Sequence, residues 1–360
     1  MSPKLLHKKK WLLHFFNKSK VAITGGYHYG NLGDIALGNS IKEILNEQNI
    51  PSELQTIYNL KYWLERDYVI VGGGAIGYEN SLLEIVKRYS NNYKKIAFLG
   101  VDFNSSFYSD DSIELINKAA FVSTRSKSQA ERLKEITGRK NIYSQPDLAF
   151  SFQRNQFEKV RQITIHQPKK LFVNALPLYA LFNNGIVSPL NVYKTERPEI
   201  FENFFAIHQN YKTLVLNAVN KAIQDSVQVF SWSFTPMDEA YAKYLFNGIS
   251  VNHLKYNPNP YNLAGMITPI DEVITTRLHA TIFALRSGAT INPIAYARKN
   301  EEMLNEMGFS KNDYITSDDL INKDTFPNNG IKPNELVLKE MEMESHKMIL
   351  KGINILFDFK

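Results

Sequence analysis

From residue 20 onward, short apolar or β-branched runs alternate with longer stretches whose apolar residues recur every three or four positions. A short apolar run bounded by turn residues is the pattern of a buried strand, and the longer periodic stretch is that of a helix with one buried stripe. The first half reads as strands at 21–25, 54–58, 68–71, 96–100 and 120–124. Leu37, Ile41, Ile44 and Leu45 share one face of the first helix, Leu82, Ile85, Val86 and Tyr89 share a face of the second, and a further helix is expected at 126–136. After a polar stretch at 153–162 the alternation resumes, with strands at 171–175, 214–216, 227–232, 272–276 and 290–295 and helices at 199–209, 238–246, 278–286 and 301–307. Strand–helix–strand alternation implies parallel sheets with helical crossovers. The expected fold is therefore α/β, with two doubly wound domains at 21–152 and 153–334, a tail at 1–20, and a C-terminal segment at 335–360 whose helix, about 335–350, packs back on the first domain. Ligands of such sheets bind at the carboxyl ends of the strands, which in two domains in series would face each other across a cleft.

Composition narrows the picture in three ways. The chain has no cysteine, which excludes disulfides, thiolate metal sites and a cysteine nucleophile. No run approaches the roughly 18 uninterrupted apolar residues of a spanning helix. The net charge of +6 is local: Lys4, Lys8, Lys9, Lys10, Lys18 and Lys20 lie in a tail without acidic residues, and the other 36 basic residues match the 36 acidic ones. A nucleic-acid partner is not expected from such a balance. The tail interleaves its lysines with Leu5, Leu6, Trp11, Leu12, Leu13, Phe15 and Phe16, which suits either an interfacial helix on an anionic membrane or a packed N-terminal extension. With no export or spanning segment read, the expected location is cytoplasmic, including the inner face of the membrane.

Candidate chemistry clusters where strands end. The first strand runs into Gly25-Gly26-Tyr27-His28-Tyr29-Gly30-Asn31-Leu32-Gly33-Asp34, with a helix expected directly after it. Glycines let backbone amides approach a ligand, and a helix N-terminus favours an anion. The spacing is not that of a dinucleotide fingerprint. Asp34 suits a sugar-hydroxyl ligand or a base, and equally the helix N-cap. The third strand opens into Gly72-Gly73-Gly74 without a following Gly-Lys-Ser/Thr, so a nucleotide-hydrolase phosphate loop is excluded and tight turning is the plain alternative. Arg125 closes the fifth strand, where a rigid guanidinium suits a carboxylate or phosphate, or else a salt bridge. The sharpest cluster is Thr275-Thr276-Arg277-Leu278-His279-Ala280, which delivers a fixed cation and a titratable imidazole to the first turn of a helix. Tyr296-Ala297-Arg298-Lys299 adds Lys299 at the same sheet edge, as a further anion ligand or a solvated charge. No Asp/Glu/His set has convincing metal spacing, so no metal is expected. Several cations and helix N-termini point to a ligand with more than one negative charge, such as one carrying phosphate and carboxylate.

These residues, in this order, resemble the polysaccharide pyruvyl transferase family. The likeness runs from about residue 21 to 308 and rests on Gly30-Asn31-Leu32-Gly33-Asp34-Ile35-Ala36-Leu37, Gly72-Gly73-Gly74, Arg125 with Ser128, Pro146-Asp147, and Arg277-Leu278-His279-Ala280 with Tyr296 and Lys299. It implies two Rossmann-like domains in a glycosyltransferase-B-like arrangement, phosphoenolpyruvate as donor with no other cofactor, and a sugar, oligosaccharide or lipid-linked glycan as acceptor. It further implies that Arg125, Arg277, Leu278, His279 and Lys299 hold the donor; the residues themselves make His279 and Asp34 the catalytic candidates and Asn31, Gly33, Asp34, Gly73 and Gly74 candidates for the acceptor or loop side. Two departures stand out. Ser126 occupies a position that is often acidic in the family, and Gly100-Val101-Asp102-Phe103-Asn104 replaces a Gly-Gln-Gly-Ile-Gly-Pro-like loop. The Tyr-, Phe- and Asn-rich segment 176–197 matches no family motif and is a candidate wall of the acceptor pocket. A nucleotide-sugar-dependent glycosyltransferase and a glycan-binding protein without activity are the competing readings, separable by donor preference and by phosphate release.

Overall fold

The computed structural model describes residues 20–358 apart from 28–29, 58–66, 91, 163–168, 263–270 and 328–329. The readings for the tail at 1–19, for His28 and Tyr29, and for Tyr58 at the end of the second strand lie outside the described residues. The chain divides into two compact units: Met1–His28 with Asp34–Leu148 and Glu344–Lys360, and Tyr29–Gly33 with Ala149–Met343.

In the first unit, β1 (Val21–Gly25), β2 (Ser52–Thr56), β3 (Tyr68–Gly74), β4 (Ile96–Val101), β5 (Phe121–Thr124) and β6 (Tyr143–Ser144) form one parallel sheet in the order β2-β1-β3-β4-β5-β6. β1, β4 and β5 are buried along their whole length, as parallel strands covered on both faces must be. Leu37, Ile41, Ile44 and Leu45 of the helix Leu32–Glu47 are all buried, so the three-four spacing in the sequence is the stripe that meets the sheet. The helix Glu335–Phe357 runs seven residues past the expected 350. Its C-terminal part covers this sheet: the missing side chain of Gly352 admits Leu99 and Phe121, the Phe357 ring lies 4.5 Å from Tyr68, and the Lys351 ammonium lies 3.8 Å over Tyr143.

The second unit repeats the plan. β7 (Lys170–Val173), β10 (Gln228–Ser231), β11 (Asn252–His253), β12 (Glu272–Thr275), β13 (Thr290–Ala295) and β14 (Ile315–Thr316) form a parallel sheet in the order β11-β10-β7-β12-β13-β14. An antiparallel hairpin of β8 (Ala180–Asn183) and β9 (Ile186–Pro189) occupies part of the segment that matched no motif. Both sheets are thus doubly wound α/β sheets with one reversal of strand order, between β1 and β3 in one and between β7 and β12 in the other. Such reversals open the crevices where ligands bind.

One expected strand is absent. Residues 214–216 lie inside the helix Phe204–Gln224, because Phe204, Ile207, Tyr211, Leu214, Val215 and Val219 are its buried residues and their spacing is helical. A short apolar run cannot by itself separate strand from helix, and here the longer period decides. The helix expected at 199–209 accordingly splits into Pro198–Glu202 and this longer one. A buried charge cluster anchors the unit where the chain enters and leaves it: Arg286 donates to the Ala149 and Phe152 carbonyls and to Glu342, which also accepts both terminal nitrogens of Arg161.

Candidate functional site

The second unit gathers its chemistry at the β7/β12 reversal. β12 ends at Thr275, and Arg277 adopts an extended conformation before the helix Leu278–Arg286, every residue of which is buried. Asn174, directly after β7 and fully buried, ties three strand exits together. Its Oδ1 accepts from the Arg277 amide at 2.9 Å, its Nδ2 donates to the Trp232 carbonyl at 2.9 Å, and its own amide donates to Ile274. Asp238 fixes the Arg277 side chain. Both carboxylate oxygens lie 2.6 Å from the guanidinium, one on Nε and one on Nη2, a paired geometry only arginine offers. The same carboxylate accepts the Phe234 and Thr235 amides at 3.1 Å and closes a reciprocal cap on the helix Pro236–Leu245. The guanidinium is held by one edge, and the side chain keeps 20% of its surface exposed.

His279 follows two residues on and is 8% exposed. Residues 30–33 lie against it: a Cβ placed on Gly33 would stand 2.0 Å from the imidazole Nδ1, so only glycine permits this approach. The Leu32 amide donates to the Phe234 carbonyl at 3.0 Å, and Gly30, at φ +101°, packs against Pro236. The Gly30–Gly33 motif and the Arg277–His279 motif are therefore brought together within one unit. Leu278 is buried beside them. Lys299 is exposed on the helix Arg298–Glu306, and its neighbour Asn300 donates to the Thr276 carbonyl at 3.1 Å, which fixes that helix start beside the exit of β12.

The helix after β1 begins at Leu32, not beyond Asp34. Asn31 is the cap, its Oδ1 accepting the Gly33 amide at 3.1 Å, and Asp34 is a half-exposed first-turn residue. The capping role weighed for Asp34 thus falls to Asn31, because the chain turns helical three residues earlier. Burial, and secondarily the Asp34 charge, push the Tyr27 hydroxyl well above its ordinary pKa. Gly73 and Gly74 have φ of +70° and +80°, and a Cβ on Gly73 would meet Leu37 at 2.7 Å, so the glycines both turn the chain and admit the helix.

Arg125 leaves β5 as read, but it is 9% exposed between two buried carboxylates. Nη1 donates to Asp147 at 3.0 Å, and Nη2 pairs with Asp102. Ser126 caps the helix Lys127–Thr137 through the Gln129 amide, which is the use this chain makes of a position that is often acidic in the resembled family. Asp102 stands in the loop that replaces the glycine-rich family loop, so that departure supplies Arg125 with a partner.

Sequence reasoning missed Asn174, Asp238 and Asp102 as site residues. For Asp238 a signal existed in Thr235-Pro236-Met237-Asp238, the spacing of a reciprocal helix cap. Among the described residues no helix is long and apolar enough to cross a membrane.

The second unit thus presents an arginine and a histidine at the strand-to-helix turn that follows β12 of a parallel α/β sheet. The family model for polysaccharide pyruvyl transferase matches residues 31–298, and the chain belongs to that family, a family of transferases. No curated protein matches the chain. Among solved structures it is similar to a Klebsiella pneumoniae protein at 16% identity and a TM-score of 0.44, over 86% of this chain and 96% of that one. It is also similar to the wall teichoic acid polymerase TagF at 8% identity and 0.45, over 99% and 96%, and to a UDP-GlcNAc 2-epimerase of Neisseria meningitidis at 8% and 0.47, over 84% and 89%.

Proposed function

We propose that the protein transfers pyruvate from phosphoenolpyruvate to two hydroxyls of a sugar in a surface polysaccharide or its lipid-linked precursor. The enol CH2 carbon gains a proton, one hydroxyl attacks the carbon bearing the phosphate, phosphate leaves, and a second hydroxyl closes the ketal. The observation that carries this reading is the packing of Gly33 on the His279 imidazole beside Arg277, at the end of β12. It joins two separated family motifs into one turn with a fixed cation, a titratable group and helix amides, which suits a donor carrying carboxylate and phosphate.

In this reading Arg277, Leu278, His279 and Lys299 hold the donor, and His279 moves the proton to the enol carbon. Asp238 keeps the guanidinium aimed. Arg125 contributes to the donor by exchanging part of its pairing with Asp102 and Asp147. Asn31, Gly33, Asp34, Gly73 and Gly74 serve the loop or acceptor side, with Asp34 as a base for the attacking hydroxyl. The donor is the sole co-substrate and no metal takes part. The site of action is the cytoplasm, where phosphoenolpyruvate is made, with residues 1–20 in contact with the inner face of the membrane.

Calorimetry with phosphoenolpyruvate and a panel of nucleotide sugars tests the donor. Selective binding of phosphoenolpyruvate is expected, lost in Arg277→Ala and retained in His279→Ala, whose phosphate release with a competent glycan falls by at least about a hundredfold. Binding of a nucleotide sugar with none of phosphoenolpyruvate sinks the reading.

A further inference from the structure

The connection that leaves β7 runs through the interior of the second unit. Residues 174–179 carry neither helix nor strand, yet every one of them is buried. An irregular segment inside a protein is uncommon, because its backbone polar groups must find partners away from water. Here the partners lie on the two turns that present cations. Asn174 accepts the Arg277 amide, and the Leu176 amide donates at 3.1 Å to the Tyr211 hydroxyl, which lies 3.3 Å from Thr276 Oγ1. Both attachments therefore meet the residues that follow β12.

The far end of the stretch meets the next turn. The Tyr179 phenol donates to the Tyr296 carbonyl, pairs with Ser317 Oγ and accepts from Arg197 Nη1 at 3.1 Å. Ser317 and Arg197 donate to the same carbonyl, at 2.9 and 3.3 Å. Tyr296 directly follows β13, and Lys299 stands in the first turn of the helix that comes next. The start of that helix is thus pinned on two sides, to β12 through Asn300 and Thr276 and to the buried stretch through Tyr179. Burial, opposed by Ser317 and Arg197, pushes the pKa of the Tyr179 hydroxyl up to about 12, so it keeps its proton and its donor role at neutral pH. The residue has φ of +56°, a left-handed conformation that a bulky side chain adopts only where its surroundings impose it. They do so here: its carbonyl accepts the Leu190 amide at 2.9 Å, and its ring meets Tyr193 edge-on at 5.0 Å.

One short stretch therefore touches the Arg277 turn at one end and the Lys299 turn at the other. We propose that Tyr179 is a positioning residue for Lys299, and that residues 174–179 are a brace fixing the span between Lys299 and Arg277. A fixed span favours a ligand whose two negative groups are separated to match it, because neither cation then has to be ordered on binding. A single anion gains nothing from the span. The assignment rests on the pyruvyl-transfer reading in taking both cations as ligands of the donor. In this role Tyr179 and Arg197, at the two ends of the segment that matches no family motif, serve the donor side.

Calorimetry of the full-length protein with phosphoenolpyruvate, phosphoglycolate and inorganic phosphate reads the span. The first two carry a phosphate and a carboxylate, the third a phosphate alone. Tyr179→Phe keeps the ring and removes the hydroxyl; it should weaken both two-group ligands about fivefold, the size of one hydrogen bond, and leave inorganic phosphate within about twofold. In the Lys299→Ala background the same substitution should add no further loss. Equal weakening of all three ligands, no weakening of any, or the full loss repeated in Lys299→Ala overturns the brace. Ser317→Ala, which takes another donor from the Tyr296 carbonyl, should give the same contrast at about twofold and decides the matter if Tyr179→Phe does not fold. A wild type that binds phosphoglycolate but not phosphoenolpyruvate removes the pyruvyl-transfer reading and leaves the brace to be judged on phosphoglycolate. One that binds neither overturns the brace.

Discussion

Two arginines leave the ends of parallel strands here, one in each unit, and they are held differently. Arg125 lies between Asp102 and Asp147, each of the three side chains under a tenth exposed. Arg277 is paired along one edge with Asp238, whose carboxylate also accepts two backbone amides. A cation enclosed by two buried acids is held chiefly by the fold. A cation aimed by one well-supported acid is pre-organised and keeps surface for a ligand. The same residue type at the same kind of strand exit is thus enclosed in one unit, at 9% side-chain exposure, and more open in the other, at 20%.

The largest expected effect tests this contrast directly. Arg125→Ala leaves two buried carboxylates without their cation and should lower stability by about 3–5 kcal/mol. Arg277→Ala leaves Asp238 with its amide partners and should lower stability by only about 1–3 kcal/mol. Urea unfolding of the two variants measures the difference, and equal losses would dissolve the distinction. A smaller effect sharpens the site side. Gly33→Ala forces a methyl group into the His279 ring and should destabilise by about 1–3 kcal/mol through overpacking, with phosphate release falling further than stability accounts for. Wild-type release rates in that variant would detach the imidazole from the 30–33 loop.

The smallest effect distinguishes the units by acid. Burial, and then the nearby Lys212, hold His208 below its ordinary pKa, and burial followed by Lys243 does the same for His253; both lie in the second unit. A base depressed in the folded state binds its proton more readily unfolded. Its contribution is complete above the ordinary imidazole value of about 6.5 and is lost as pH falls through the lowered folded values. Melting temperature should therefore decline on acidification through that window. His208→Phe, which keeps the ring stacked near Phe204, should flatten the decline, and an unchanged slope would show the histidine to be uninvolved.

How far the sequence was legible follows the same division. Runs buried on both faces, such as Val21–Gly25 and Thr290–Ala295, announce themselves because a parallel central strand has no polar face to disguise it. Strand exits then point to Arg125, Arg277 and His279, since position along the chain and position at the sheet edge coincide there. Asp102, Asn174 and Asp238 were not legible as partners, because their roles arise from segments tens of residues apart meeting in space. The strand expected at 214–216 and the helix start expected beyond Asp34 erred for a local reason. In each, a few residues were weighed without the longer helical period that governs them.

The helix Glu335–Phe357 has a consequence for how the chain comes to be made. The first sheet is assembled from residues synthesised early, yet Leu99, Phe121 and Tyr68 wait for Gly352 and Phe357. Domains ordinarily fold as they emerge from the ribosome, N-terminal part first. Here the second unit is fully translated before the first can be closed, so a nascent chain arrested anywhere between residues 149 and 343 holds an unfinished hydrophobic sheet in need of shelter.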